Sequence, residues 1–137
     1  MIKDAEKITR IKLHIQRMYS LYNVMKCIAP EKIFTDLKEL NIDAKIKAQF
    51  ICSEGKSIVQ YAIEARVNTM KELLVYTSLS LEEICKQLQY ASIAEMESEL
   101  FNQTGLTIPF FTNLKHVKAS LAQKAADKQT LKNQIIQ

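Results

Sequence analysis

The chain has 137 residues, 47% of them apolar and 25% charged, and a formal net charge of +4. This apolar content is enough for one small buried core, and no apolar run reaches the roughly 18 residues of a membrane span. Residues 1–10 are charged and lack the apolar centre of a secretion signal, so we expect a cytoplasmic protein with no membrane partner. The 2 Gly and 2 Pro provide few chain breakers, which favours an all-α fold.

Apolar residues at helical spacing predict a first helix over residues 4–28. The stripe consists of Ile8, Ile11, Ile15, Met18, Tyr22 and Met25. It fits core packing, and its spacing also satisfies the heptad of a dimer seam. Pro30 fits the first turn of a second helix over residues 30–40, where its missing N–H is harmless.

Capping residues mark the next two helices. Asp43 is predicted to cap a third helix over residues 44–53, and Gly55 to end it in a left-handed conformation. The expected inward side of the third helix consists of Ile46, Phe50 and Ile51. Ser57 opens a long fourth helix over residues 57–76. Its expected buried side consists of Ile58, Tyr61, Ala62, Ala65, Met70, Leu73 and Leu74.

Two capping boxes, each a serine followed three residues later by a glutamate, mark the helices of the second half. Ser80 starts a fifth helix over residues 81–88. Ser92 starts a sixth helix, about residues 92–103, and Gly105 ends it as a left-handed cap.

About seven helices follow from these signals, because Pro109 opens a further one over residues 109–120. They form two short helix pairs, one on either side of a long helix. We divide the chain into an N-terminal helix plus first pair, a linker helix, a second pair, and a basic tail that is helical or frayed: residues 1–56, 57–77, 78–120 and 121–137. Residues 113–137 hold five lysines against one aspartate, which accounts for the whole net charge of +4.

The sequence offers no catalytic or metal-binding constellation. Cys27, Cys52 and Cys85 are odd in number and widely spaced, which favours buried free thiols in a reducing compartment. His14 and His116 are far apart, and no His/Cys cluster has the spacing of a metal site. We therefore expect no enzyme activity, no metal, no cofactor and no small-molecule site.

The two helix pairs and their landmark residues resemble the paired helix-turn-helix domain of the AraC/XylS transcription regulators. In the second half, the residues in register with A-x-x-L-L, S-I-x-E-I-A, G-F-x-S and G-x-T-P are Leu73, Leu74, Ser80, Leu81, Glu83, Ile84, Tyr90, Ser92, Gly105 and Thr107. In the first half, they are Phe50, Gly55, Ser57, Tyr61, Arg66 and Val67. The resemblance covers about residues 30–114.

The resemblance implies a bacterial regulator that binds double-stranded DNA, with recognition helices 44–53 and 92–103 in successive major grooves. By position, the DNA-binding residues on the third helix would be Ala44, Lys45, Lys47 and Ala48. On the sixth helix they would be Ser92, Ile93, Ala94, Glu97 and Ser98. Ser92 would also cap its helix and offer its backbone N–H to a phosphate.

The second motif departs from the family pattern on its expected DNA face. The sixth helix carries Glu95, Glu97 and Glu99 and has no basic residue between Ser92 and Thr104. Since DNA affinity rests largely on Lys and Arg at phosphates, three carboxylates on this helix would repel the DNA backbone.

The alternative is a degenerate helix-turn-helix module that binds another protein, or a second copy of itself, and not DNA through the sixth helix. Phe101, Phe110 and Phe111 are candidates for such a surface, and core packing is the other interpretation of each. Gln89 stands where the family has Gly, so the turn of the second motif either opens differently or holds Gln89 in a strained left-handed conformation.

Overall fold

Residues 3–20 and 29–115 are described by the computed structural model, and every regular element in these two ranges is helical. The α-helices are α1 Asp4–Met18, α2 Ile33–Asp36, α3 Ala44–Glu54, α4 Ile58–Tyr76, α5 Leu81–Gln87, α6 Ile93–Thr104 and α7 over 108–115. The all-α prediction is therefore confirmed. None of these helices is long and apolar enough to cross a membrane.

The first helix is shorter than predicted. α1 ends at Met18, and the next residue, Tyr19, leaves the helical conformation with φ −100° and ψ 20°. The Tyr19 side chain is buried in the core, and its carbonyl oxygen accepts a hydrogen bond from the Thr69 hydroxyl on α4. This long-range contact fixes the chain at a place where apolar periodicity alone continues the helix. The predicted extension over residues 21–28 lies outside the described part of the chain.

The described part of the apolar stripe of α1 packs into the core, as the core-packing interpretation predicts. Ile11 and Ile15 are fully buried and Met18 is nearly so, while Ile8 packs at the edge of the core.

The second helix is not the continuous segment 30–40 that the sequence predicts. A 3₁₀ turn at Pro30–Lys32 leads into the single α turn of α2, and a second 3₁₀ turn follows at Lys38–Leu40. Thr35 and Asp36 are weak helix formers, and at Leu37 the backbone departs from helical geometry with φ −105° and ψ 24°. Pro30 does occupy the first turn, as predicted.

The predicted caps of α3 to α6 are confirmed. Asp43 Oδ1 accepts a hydrogen bond from the Ile46 N–H at 3.0 Å. Ser57, Ser80 and Ser92 each accept one from the N–H three residues later at 3.1 Å. The C-terminal glycines of α3 and α6 adopt the left-handed conformation, with φ 75° at Gly55 and 73° at Gly105. Each cap depends only on neighbouring residues, which explains why the sequence predicts it.

The core forms around α4, which contacts α1, α3 and α6, while α5 packs on α6. On α3, Ile46 and Phe50 face inward, and the Phe50 ring meets the Tyr61 ring edge-on at 5.6 Å. Ile51 is 48% exposed, so its predicted inward position is wrong. It lies 100° around the helix from Phe50, beyond the face that α1 and α4 cover. Both helix pairs thus pack against one long helix, with the outer sides of α3 and α6 left open.

Candidate nucleic-acid interface

The first candidate surface is the outer side of α3. Ala44, Lys45, Lys47 and Ala48 are all exposed, on the side opposite the buried Ile46 and Phe50. The cap at Asp43 and the left-handed Asn41, with φ 54°, turn the chain sharply from the second 3₁₀ turn into α3. The four predicted contact residues of this helix therefore share one solvent-facing surface.

The two lysines of this surface are held in different ways. Lys45 Nζ lies 3.4 Å from Asp4 Oδ2, and the lysine side chain remains 71% exposed. Lys47 Nζ lies 4.5 Å from the centre of the Phe34 ring, a cation–π arrangement. An exposed ion pair of this kind contributes little to stability, so a phosphate group can replace Asp4 as the partner of Lys45 at low cost.

The second candidate surface is the outer side of α6. Ser92, Ala94, Glu97 and Ser98 are exposed there. Ile93 is half-buried and packs against the core, so it is a poor candidate for reading a base edge. The outer side of α6 is therefore polar, small and, at Glu97, acidic.

The three glutamates of α6 occupy different environments, and the expectation that all three carboxylates face outward is wrong for Glu99. Glu95 Oε2 accepts a hydrogen bond from the Ala91 N–H at 2.9 Å, which completes the cap of the helix. Glu99 is turned inward, with only 16% of its side chain exposed. Glu97 is exposed, as Glu95 is, and it lines an apolar groove. The periodicity of α6 explains this, because Glu99 follows the buried Met96 by three residues and precedes the buried Leu100.

Glu99 is part of a buried polar cluster centred on Arg66 of α4. Arg66 is 4% exposed and donates two hydrogen bonds to Glu99, from Nε to Oε1 at 3.1 Å and from Nη2 to Oε2 at 2.7 Å. Its Nη1 donates to the carbonyl oxygens of Leu88 at 3.4 Å and Gln89 at 3.5 Å. Its guanidinium carbon lies 3.8 Å from the centre of the Tyr90 ring. One side chain thus joins α4, the turn after α5 and α6.

Tyr90 closes this cluster by donating its hydroxyl hydrogen to Glu99 Oε1 at 2.7 Å. Burial raises the pKa of Tyr90 well above its usual value; the charge of Arg66 opposes this, and the bond to Glu99 adds to it. Burial lowers the pKa of Arg66, but the hydrogen bond with Glu99 and the charges of Tyr90, Glu99 and Tyr19 together outweigh it, so the pKa lies above its usual value. The preceding Gln89 has φ 62°, so the left-handed conformation is the one of the two alternatives for this turn that the structure adopts.

An apolar groove of about 540 Å³ borders the outer side of α6. It is lined by Ala94, Glu97, Ser98, Phe101, Thr107, Ile108 and Pro109. Phe101 is 55% exposed and Phe110 44% exposed, whereas Phe111 is buried, so core packing is confirmed for Phe111. Phe110 meets the Phe111 ring edge-on at 5.3 Å.

The thiols and the histidine of the described residues do not come together. Cys85 is buried beside the Tyr90 carbonyl, 3.5 Å from Sγ, and burial together with the charge of Glu95 raises the pKa of this thiol. Cys52 is exposed on α3, so its predicted burial is wrong. Cys27 and His116 lie outside the described ranges. Within those ranges, no group of three His, Cys, Asp or Glu side chains could hold a metal ion.

The sequence patterns do not predict the Arg66 cluster. Arg66 matches an arginine of the AraC/XylS pattern, but that match does not indicate which residues Arg66 contacts. Two local signals point to it: it is the single arginine after Arg17, and it stands in the apolar stripe of α4 between Ala62 and Met70. A lone cation in such a stripe requires a buried carboxylate partner, and only the fold identifies Glu99.

Comparisons of the chain with protein families, with curated proteins and with solved structures found no match in any of the three.

Proposed function

We propose that this protein is a cytoplasmic DNA-binding transcription regulator of AraC-like architecture, with α3 and α6 as its recognition helices. The observation that carries the proposal is the pairing of two capped helix-turn-helix units on one long helix. In both units the second helix buries one side and exposes most of the predicted contact residues on the other. Such helices read base edges, and their N-terminal ends hold phosphates.

The surface of α3 supports phosphate binding most directly. Lys45 and Lys47 are both exposed and lie two residues apart, on the two flanks of the outer side of α3. The small side chains of Ala44 and Ala48 between them allow the helix to approach a groove closely. Each phosphate neutralised by a lysine releases a counterion and adds to the affinity.

The surface of α6 contributes in a different way. Glu99 is engaged inside the protein, and the exposed Glu95 is bound to the Ala91 N–H at the start of the helix. We therefore assign the groove contact to Glu97, which can accept a hydrogen bond from a cytosine amine. Ser92 caps the N-terminal end of α6, and the backbone N–H groups at such a helix end can bind a phosphate. We therefore assign most of the phosphate affinity to α3 and base discrimination to both helices.

A second candidate function, a protein-interaction or homodimerisation module, is favoured by the groove beside α6. Phe101, which lines the groove, and Phe110 are large apolar side chains exposed in the second unit. Residues 78–115 also hold two lysines against five glutamates, a net charge of −3 that disfavours DNA.

The test is a fluorescence-anisotropy titration of the full chain into a labelled mixed-sequence duplex at about 50 and about 200 mM salt. A protein that neutralises four phosphates should lose affinity about 100-fold over this range. Absence of binding at the lower salt would contradict the DNA-binding proposal and favour the second candidate. Sedimentation velocity of the same sample then shows whether the chain self-associates.

A further inference from the structure

We propose that Arg66 is the positioning residue of the second recognition helix. It fixes the direction of α6 relative to α4, and through α4 relative to α3. The role in DNA reading rests on the proposed function above, whereas the geometric role stands independently.

The first argument is the shape of the contact between Arg66 and Glu99. Two parallel N–H donors meet the two carboxylate oxygens at 3.1 and 2.7 Å. A planar guanidinium paired in this way constrains angle as well as distance, which neither a lysine ammonium nor an apolar side chain does. Since Arg66 lies on α4 and Glu99 in the middle of α6, the constraint acts between the two helices.

The second argument is that the same guanidinium holds the turn that leads into α6. It reaches the carbonyl oxygens of Leu88 and Gln89 and stacks on the Tyr90 ring at 3.8 Å. Tyr90 in turn donates to Glu99, so the turn and the helix share one buried partner. The start of α6 and its middle are therefore both fixed to a single residue of α4.

The third argument concerns what a buried ion pair is for. Burying two charges costs as much free energy as their attraction returns, and a well-packed apolar replacement is often equally stable. An apolar pair nevertheless lacks the directional hydrogen bonds that set one orientation. Arg66 is thus expected to contribute orientation that stability measurements alone do not detect.

The test compares four full-length proteins: wild type, Arg66→Met, Arg66→Lys and the double variant Arg66→Met/Glu99→Leu. Spin labels at Asn68 on α4 and Asn102 on α6, both exposed, report the distance between the helices in a background without native cysteines. The DNA probes are the duplex that the wild type enriches most from a randomised pool and a mixed-sequence duplex at the same salt concentration.

We expect Arg66→Met to melt at a lower temperature and the double variant to recover most of that loss, because it leaves no unpaired buried charge. Arg66→Lys keeps the charge but lacks the two parallel N–H donors of the guanidinium. Its inter-label distance distribution should therefore remain broader than that of the wild type. The double variant should also show a broadened distribution, and its preference for the selected duplex should fall about tenfold, the value of one well-placed base contact.

A merely structural role predicts otherwise, since a variant with restored stability would regain both the narrow distribution and the preference. That result for the double variant would overturn the proposal. If the wild type enriches no duplex at all, the proposed function fails, and the distance distributions still decide whether Arg66 positions α6.

Discussion

Arg66 on α4 and Glu99 on α6 lie 2.7 Å apart, Nη2 to Oε2, with only 5% and 16% of their side chains exposed. This pair removes Glu99, one of the three carboxylates of α6, from its outer side, whereas Glu95 stays exposed with its carboxylate bound to the Ala91 N–H. The electrostatic objection to DNA binding that the sequence raises is therefore weaker in the folded protein. The objection now concerns the two exposed glutamates, Glu95 and Glu97.

We expect charge reversal at Glu97 to change DNA affinity and charge reversal at Glu99 to change the stability of the fold. Glu97→Lys adds a lysine to the exposed side of α6 and should strengthen DNA binding at low salt, steepening the salt dependence by about 0.9. Glu99→Lys leaves Arg66 facing a second buried cation and should cost about 3–5 kcal/mol of stability or more. Anisotropy titrations and urea unfolding check the two results. Glu72→Lys, an exposed substitution on α4, is the control for net charge.

Gln89→Gly should stabilise the protein by about 0.5–1 kcal/mol, because glycine removes the steric cost of the left-handed conformation at φ 62°. The matched control is Gln87→Gly at the end of α5, where the same substitution replaces a right-handed helical residue and should destabilise by a similar amount. Urea denaturation measures both. Equal effects at the two positions would contradict the assigned backbone conformation.

Tyr90 should make stability depend on pH in the alkaline range. Its pKa is raised in the folded protein, so the folded state keeps a proton that the unfolded state releases above pH about 10. The difference in unfolding free energy between the wild type and Tyr90→Phe should be constant below that pH. Above it, the difference should fall by about 1.4 kcal/mol per pH unit at the expense of the wild type. Parallel unfolding curves from pH about 8 to about 11 test this sign. A constant difference over the whole range would show that Tyr90 is not buried beside Glu99.

Neighbouring residues of α6 should respond differently to truncation. Leu100 is fully buried, and Leu100→Ala should cost about 2–5 kcal/mol of unfolding free energy. Phe101 is 55% exposed, and Phe101→Ser should change the unfolding free energy by less than about 0.5 kcal/mol. A lower sedimentation coefficient for Phe101→Ser than for the wild type would identify the groove as a contact between copies of the chain.

Local chemistry made most of the fold predictable. Asp43, Ser80 and Gly105 act on backbone groups within four residues, so the sequence alone identifies the caps, and the fold class follows from apolar spacing. The end of α1 at Met18 depends instead on the contact between Tyr19 and Thr69, fifty residues away in the chain.

The candidate site was less predictable for the same physical reason. Lys45 and Lys47 are exposed because their helix is amphipathic, which the sequence indicates. The direction of Glu99 depends on a partner in another helix, so charge counted along α6 overstated the acidity of its outer side. Pairing across elements is the information that a single sequence lacks.

The most direct test of the central claim compares salt dependence of DNA binding in two charge-matched variants. Lys45→Gln/Lys47→Gln removes two lysines from α3, and Lys124→Gln/Lys128→Gln removes two from the C-terminal segment. If α3 holds phosphates, the first variant should lose most of the affinity and about two from the slope of log affinity against log salt, while the second stays close to the wild type. The reverse pattern, with binding lost only in the second variant, would contradict DNA recognition by the folded helices.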